Sequence, residues 1–143
     1  MSTAGAAKPV PQGNYVAARR CGSLVFTAGM TPRRNGILTM VGPIQPGTPP
    51  EAYRDPVVLA CANALAAARS VLADSESIAA IITLTVYTAA QPGFSAHSAI
   101  ADFASRFLQD ELGQAGIGAR TAVGVATLPG NAPVEIQLVA VVA

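Results

Sequence analysis

The sequence predicts an α+β protein: a mixed sheet of about six strands with two helices packed on one face. Three observations lead there. β-branched, strand-like runs recur along the chain, two segments carry apolar residues at helical spacing, and prolines and glycines punctuate the stretches between them. With only two helices for a sheet of that size, one sheet face lacks cover, and self-association is the simplest way to supply it.

The elements follow in chain order. Residues 1–12 carry Ala, Pro, Gly and a single Lys and are expected to be a flexible arm; residues 13–143 are expected to form one domain. Asn14–Ala18 reads as a short strand and Arg20–Ser23 as a turn, with Gly22 supplying permissive backbone angles. Ser23–Gly29 is strand-like, and Gly29 at its end removes a side chain where a group can approach the backbone. Thr31–Pro50 is mostly loop, with a short third strand at Ile37–Val41.

Asp55-Pro56 reads as an N-cap followed by proline at the first helical position. Val57, Leu65, Ala68 and Leu72 belong to the apolar stripe of that helix, and Cys61 within it reads as a core residue. Asp74–Ser77 is the exit turn. The run Ile78–Thr88 is so continuously apolar that it predicts a strand covered on both faces. A second helix extends from Phe94 or Ser95 to Leu112, with Asp102 and Arg106 forming an i,i+4 pair on its polar side. Gly113, Gly116 and Gly118 make a flexible connection to two final strand-like runs, Ala119–Leu128 and Val134–Ala140, joined by Pro129–Pro133.

Composition narrows the function. The chain has 143 residues, a net charge of +1, 51% hydrophobic and 12% charged residues, where about 25% charged is typical. A surface so poor in charge is consistent with cover by another subunit, and equally with a bias towards alanine. No basic tract forms the electrostatic footprint of a nucleic-acid binder. Cys21, Cys61 and the lone His97 make no metal-ligand or redox motif, so a structural zinc site is not expected. No signal peptide or membrane-spanning run is evident, and the expected location is the cytoplasm.

Against this background two charges stand out. Arg120 opens the first of the final strands and Glu135 lies inside the second. A charge in a half-buried strand costs free energy unless it is paired or used. Arg120 would hold a carboxylate through its planar fork, or make a structural salt bridge. Glu135 would orient a water, or pair with an arginine, Arg120 included. His97 reads as a surface residue, and Ser98 and Thr27 as packing or capping residues.

The ordered set of Leu24–Met30, Thr83–Tyr87, Ala119-Arg120-Thr121, Leu128-Pro129 and Val134-Glu135-Ile136 resembles the YjgF/RidA family of reactive imine/enamine deaminases, and the resemblance runs from Gly13 to the C-terminus. It implies a chorismate-mutase-like protomer, assembled as a homotrimer with clefts between subunits. It also implies hydrolysis of small 2-imino or enamine acids to 2-keto acids and ammonia, without metal or organic cofactor. Arg120 would bind the substrate carboxylate, Glu135 would handle the water, and Tyr15, Gly29 and Ala122 would line the cleft. Ala122 stands where the best-studied branch often has Cys, Ala28 where it has Ser, and Ser98 near a frequent Asn; these changes mark a divergent subgroup. The alternative is a non-catalytic trimer that binds a small carboxylate metabolite. Ribonuclease activity, described for some relatives, finds no His/Lys acid-base pair or basic groove here.

Overall fold

The computed structural model describes residues 7–143. Five strands form the main sheet, in the order β1 (Ala18–Cys21), β2 (Leu24–Thr27), β7 (Val134–Val142), β5 (Ile78–Ala89) and β6 (Ala119–Val125). Only the β5–β6 pair is parallel, so the sheet is mixed. Two further strands, β3 (Arg33–Arg34) and β4 (Ile37–Leu38), form a separate ribbon. The helices are α1 (Arg54–Arg69) and α2 (His97–Leu112).

The α+β architecture is therefore as the sequence predicts, with five strands in the main sheet rather than six. The expected third strand left the sheet for a local reason. Asn35 and Gly36 both have positive φ, 53° and 80°, the signature of a two-residue hairpin turn, so Ile37–Leu38 fold back on Arg33–Arg34 instead. The first strand also shifts. Cys21 pairs with Leu24 across Gly22 (φ 60°) and Ser23, so Arg20 and Cys21 belong to β1 and Asn14–Ala17 precede it. Of the expected N-terminal arm, residues 1–6 lie outside the described residues, and residues 7–12 carry no strand or helix. The start of α1 moves back as well: Pro50 opens a 3-10 turn, Pro50–Tyr53, that runs directly into the helix.

β7 shows how the sheet divides. Val134, Ile136, Leu138, Ala140 and Val142 are buried under the helices, while the residues between them are half-buried on the other face. α1 lies over β7 and β2, and α2 lies over β5 and β6. Ala60, Ala64, Ala67 and Ala68 of α1 are fully buried; small side chains let the helix approach closely. Cys61 is among them, its thiol donating to the Ala104 carbonyl oxygen at 3.8 Å, and burial pushes its pKa up, away from thiolate chemistry.

Among the described residues no helix covers the opposite face. Leu24, Phe26 and Val123 are 37–43% exposed there, beside Thr83, Thr85 and Thr121. β5, expected to be covered on both faces, is covered on one within the protomer. Among the described residues no helix is long and apolar enough to cross a membrane.

Candidate functional site

Arg120 owes its position to two glycines. The segment Gly113–Gly116 is a 3-10 turn, and Gly116 is buried. A Cβ at Gly116 would lie 2.2 Å from the Leu108 carbonyl oxygen, and one at Gly118 2.5 Å from that of Ile81. The connection expected to be flexible is thus pressed against the end of α2 and against β5, and it delivers Arg120 to the first rungs of β6, opposite Leu84.

From there the side chain rises to α2. Nη1 donates to Asp102 Oδ1 at 2.7 Å and to Ser105 Oγ at 3.1 Å. Nη2 donates to Ser98 Oγ at 2.8 Å and to the Ser98 carbonyl oxygen at 3.5 Å. Ser98, Asp102 and Ser105 follow the i, i+4, i+7 spacing that puts residues on one helix face. Asp102 is therefore the partner of Arg120, not of Arg106 as the local spacing predicts; a fixed guanidinium on the strand below outcompetes an exposed one on the same helix. Ala122 and Gly124 continue the same face of β6. Ala122 packs against the core, and a Cβ at Gly124 would meet His97 Nε2 at 2.7 Å. His97 also sits edge-on to Phe94, ring centroids 4.9 Å apart.

Glu135 belongs to the other sheet face. It lies opposite Tyr87 on β5, half-buried, and burial raises its carboxyl above the ordinary value of 4.5. It makes no hydrogen bond or ion pair with any described residue. Its carboxyl group rests on Gly29, where a Cβ would stand 2.7 Å from it. The backbone of Met30 pairs with Ile136 in both directions, fixing that contact.

The sequence-derived residues therefore form two sets. Arg120 and Ala122 lie under α2, while Glu135 and Gly29 lie on the open face. Within one protomer Arg120 and Glu135 are separated by β5 and by three rungs of register, roughly 10 Å across and roughly 10 Å along the sheet. The pairing of these two charges with each other is excluded within the protomer. Tyr15 joins neither set: it is 49% exposed and its hydroxyl accepts from the Gln12 backbone N–H at 3.0 Å. Sequence reasoning pairs Asp102 with Arg106 and gives Ser105 no role, although their helical spacing from Ser98 carries the signal. Among the described residues no group of three or more His, Cys, Asp or Glu gathers as a metal site.

Comparison with known proteins agrees with this fold. The family model described as Endoribonuclease L-PSP matches residues 5–142. The structure is similar to that of Atu1372 from Agrobacterium tumefaciens, with TM-score 0.85 and 30% identity over 98% of this chain and 88% of that one. It is also similar to TdcF of Escherichia coli, solved with bound serine, with TM-score 0.68 and 27% identity over 94% and 92%. The YjgF product of Escherichia coli shares the fold at TM-score 0.66 and 23% identity, over 94% and 92%. A search of curated proteins found no match. The chain belongs to the endoribonuclease L-PSP family, the YjgF/RidA family whose C-terminal signature it carries.

Proposed function

We propose that this chain hydrolyses small 2-imino or enamine acids to 2-keto acids and ammonia, in clefts shared between protomers of a cytoplasmic homotrimer. The observation that carries the proposal is Glu135: a half-buried carboxyl with raised pKa, no partner among the described residues, and a bare glycine backbone beneath it. Carboxyls held in that condition are candidates for proton transfer.

The chemistry needs little more. An imine carbon is already electrophilic, so no nucleophilic side chain is required. Glu135 takes a proton from the attacking water as oxygen bonds to the carbon and the C=N π pair moves onto nitrogen; that proton and the second proton of the water pass to nitrogen, the C–N bond breaks, and a 2-keto acid and ammonia result. Arg120 holds the substrate carboxylate, and positioning of this kind can lower a barrier by up to about 7–11 kcal/mol in the best intramolecular models. Arg120 and Glu135 lie on different faces of one protomer, so a cleft containing both draws them from two copies. The half-exposed apolar face around Phe26 and Val123 supplies a surface for that assembly. The serine bound to TdcF is a small molecule with a carboxylate, and it lends support to a ligand of that class here.

Ribonuclease activity, which the family description names, is less well supported. Arg20 and Arg120 are each neutralised by a carboxylate, Glu76 and Asp102, and at a net charge of +1 the sequence has no basic tract to follow a phosphate backbone. A second reading keeps the trimer and the carboxylate site without catalysis. It is favoured by the engagement of Arg120 with Asp102, which gives the guanidinium a structural role of its own.

The test is to generate 2-iminopropionate in situ and follow its disappearance with and without protein. The wild type is expected to accelerate it, and Arg120→Ala to lose that acceleration while the assembly stays intact by light scattering. Full activity in the variant removes Arg120 from the site. Carboxylate binding without acceleration of any imino acid selects the second reading, and a monomeric wild type removes the shared cleft.

A further inference from the structure

Asp102 gives the arginine site a property that a bare guanidinium lacks. Both Nη atoms of Arg120 are committed, to Asp102, Ser105 and Ser98, and its side chain is 22% exposed. The Asp102 side chain is 55% exposed, and only one of its oxygens is used; the other makes no hydrogen bond among the described residues. The surface offered to a ligand is thus the free Asp102 oxygen, an acceptor, beside a guanidinium whose Nε–H alone has no partner among the described residues, and the pair carries no net charge. A simple carboxylate arriving there meets Asp102 as well as Arg120 and is partly repelled. A molecule that carries a cationic nitrogen next to its carboxylate satisfies both groups.

We propose that Asp102 is a specificity-determining residue that selects ligands with a protonated nitrogen α to the carboxylate. The inference rests on the reading that Arg120 binds the substrate carboxylate, and it refines that reading. Ser98 and Ser105 position the pair: their hydroxyls fix the guanidinium plane, so Asp102 need make only one contact with it. The consequence for the reaction is directional. A 2-iminium acid carries the nitrogen that Asp102 accepts from. Water adds to the C=N carbon, the C–N bond breaks, and the iminium acid plus water becomes a 2-keto acid plus ammonium. The product keeps its carboxylate and has lost the cation, so Asp102 now disfavours it and hastens its release.

The test uses calorimetric titration of the full chain with L-alanine, which carries the ammonium, and with propionate and pyruvate, which do not. The wild type is expected to bind L-alanine at least tenfold more tightly than either acid. In Asp102→Asn that preference should fall below about twofold, with pyruvate bound as tightly as in the wild type or more so, and Asp102→Glu should restore part of it. Unequal binding that survives in Asp102→Asn, or equal binding by the wild type, overturns the role of Asp102 and leaves the Arg120 reading intact. Absence of binding by all three ligands overturns both. Asp102 is exposed, and matched Tm values for the variants confirm that the change is in recognition.

Discussion

The two charges of the C-terminal strands live in opposite circumstances. Arg120 sits at the edge of the sheet under α2 and is held by three side chains of that helix. Glu135 sits two strands inward on the open face, half-buried and unpartnered among the described residues. The partly exposed Arg120–Asp102 pair contributes about 0–1 kcal/mol to stability; its main effect is to fix a guanidinium in one place. The Glu135 carboxyl does the reverse, since its burial costs stability with no compensating contact. One charge is pre-organised and the other is held under penalty, which is the division expected between a group that binds and a group that exchanges protons.

That contrast can be broken most sharply at Glu135. Glu135→Gln removes the proposed proton acceptor and the half-buried charge together. Turnover of an imino acid is expected to fall by roughly 10²–10⁴-fold, while Tm at neutral pH rises. The sign follows from linkage: a carboxyl whose folded pKa is raised makes the protein less stable as pH climbs through that pKa. The Tm gain should therefore be present at pH 7 and vanish below about pH 4.5, the ordinary value. A variant that is inactive and less stable at every pH would show that Glu135 is a structural residue.

A smaller loss is expected from Gly29→Ala, which puts a methyl group 2.7 Å from the Glu135 carboxyl and forces it to move. A displacement of about 1 Å costs about 10²-fold in rate, so activity should drop by that order with ligand affinity at Arg120 unchanged. Loss of affinity instead, measured by titration, would place Gly29 in ligand binding and not beneath the proton acceptor.

Sequence periodicity reveals β5, α2 and β7 because one face of each is buried in a core made by the chain itself. Alternation along Val134–Val142 and the 3.6 spacing of Ile100, Ala104, Phe107 and Leu108 are direct imprints of that burial. The Arg120 and Glu135 positions are legible for the complementary reason, as charges interrupting apolar runs. What the sequence hides is decided across distance. Asp102 has a plausible partner four residues along its own helix, and nothing local says that Arg120, on another element, displaces it. The sixth strand is lost to the turn preference of Asn35-Gly36, a local signal that outweighs the apolar run beside it. The separation of Arg120 from Glu135 depends on register through β5, which spacing along the chain does not encode.

The smallest effect sharpens the contrast from the other side. Glu76 accepts from both Nη atoms of Arg20, at 2.5 and 2.6 Å, and from the Ala73 N–H at 2.8 Å. Those bonds, the Arg20 contact foremost, hold its pKa at about 2, below the ordinary 4.5. Its stabilising contribution is present above pH 4.5 and lost as pH falls towards 2, the mirror image of Glu135. In melts between pH 2 and 7, Glu76→Gln should lower Tm slightly at neutral pH and flatten the acid limb. An unchanged acid limb would show that other carboxylates set it.

The packed glycines between α2 and β6 bear on how this chain tolerates change in length. Side chains on a strand alternate between faces, so a one-residue deletion within Gly113–Gly118 that slid β6 along β5 would turn Arg120 over. The arginine would leave Asp102 and emerge on the side of the sheet that carries Glu135. An edit at this connection that slides the register by an odd number of residues should therefore reverse the face Arg120 occupies, whereas the turn at Gly22, where an added Cβ would meet nothing within 4 Å, can accept such edits without moving either charge.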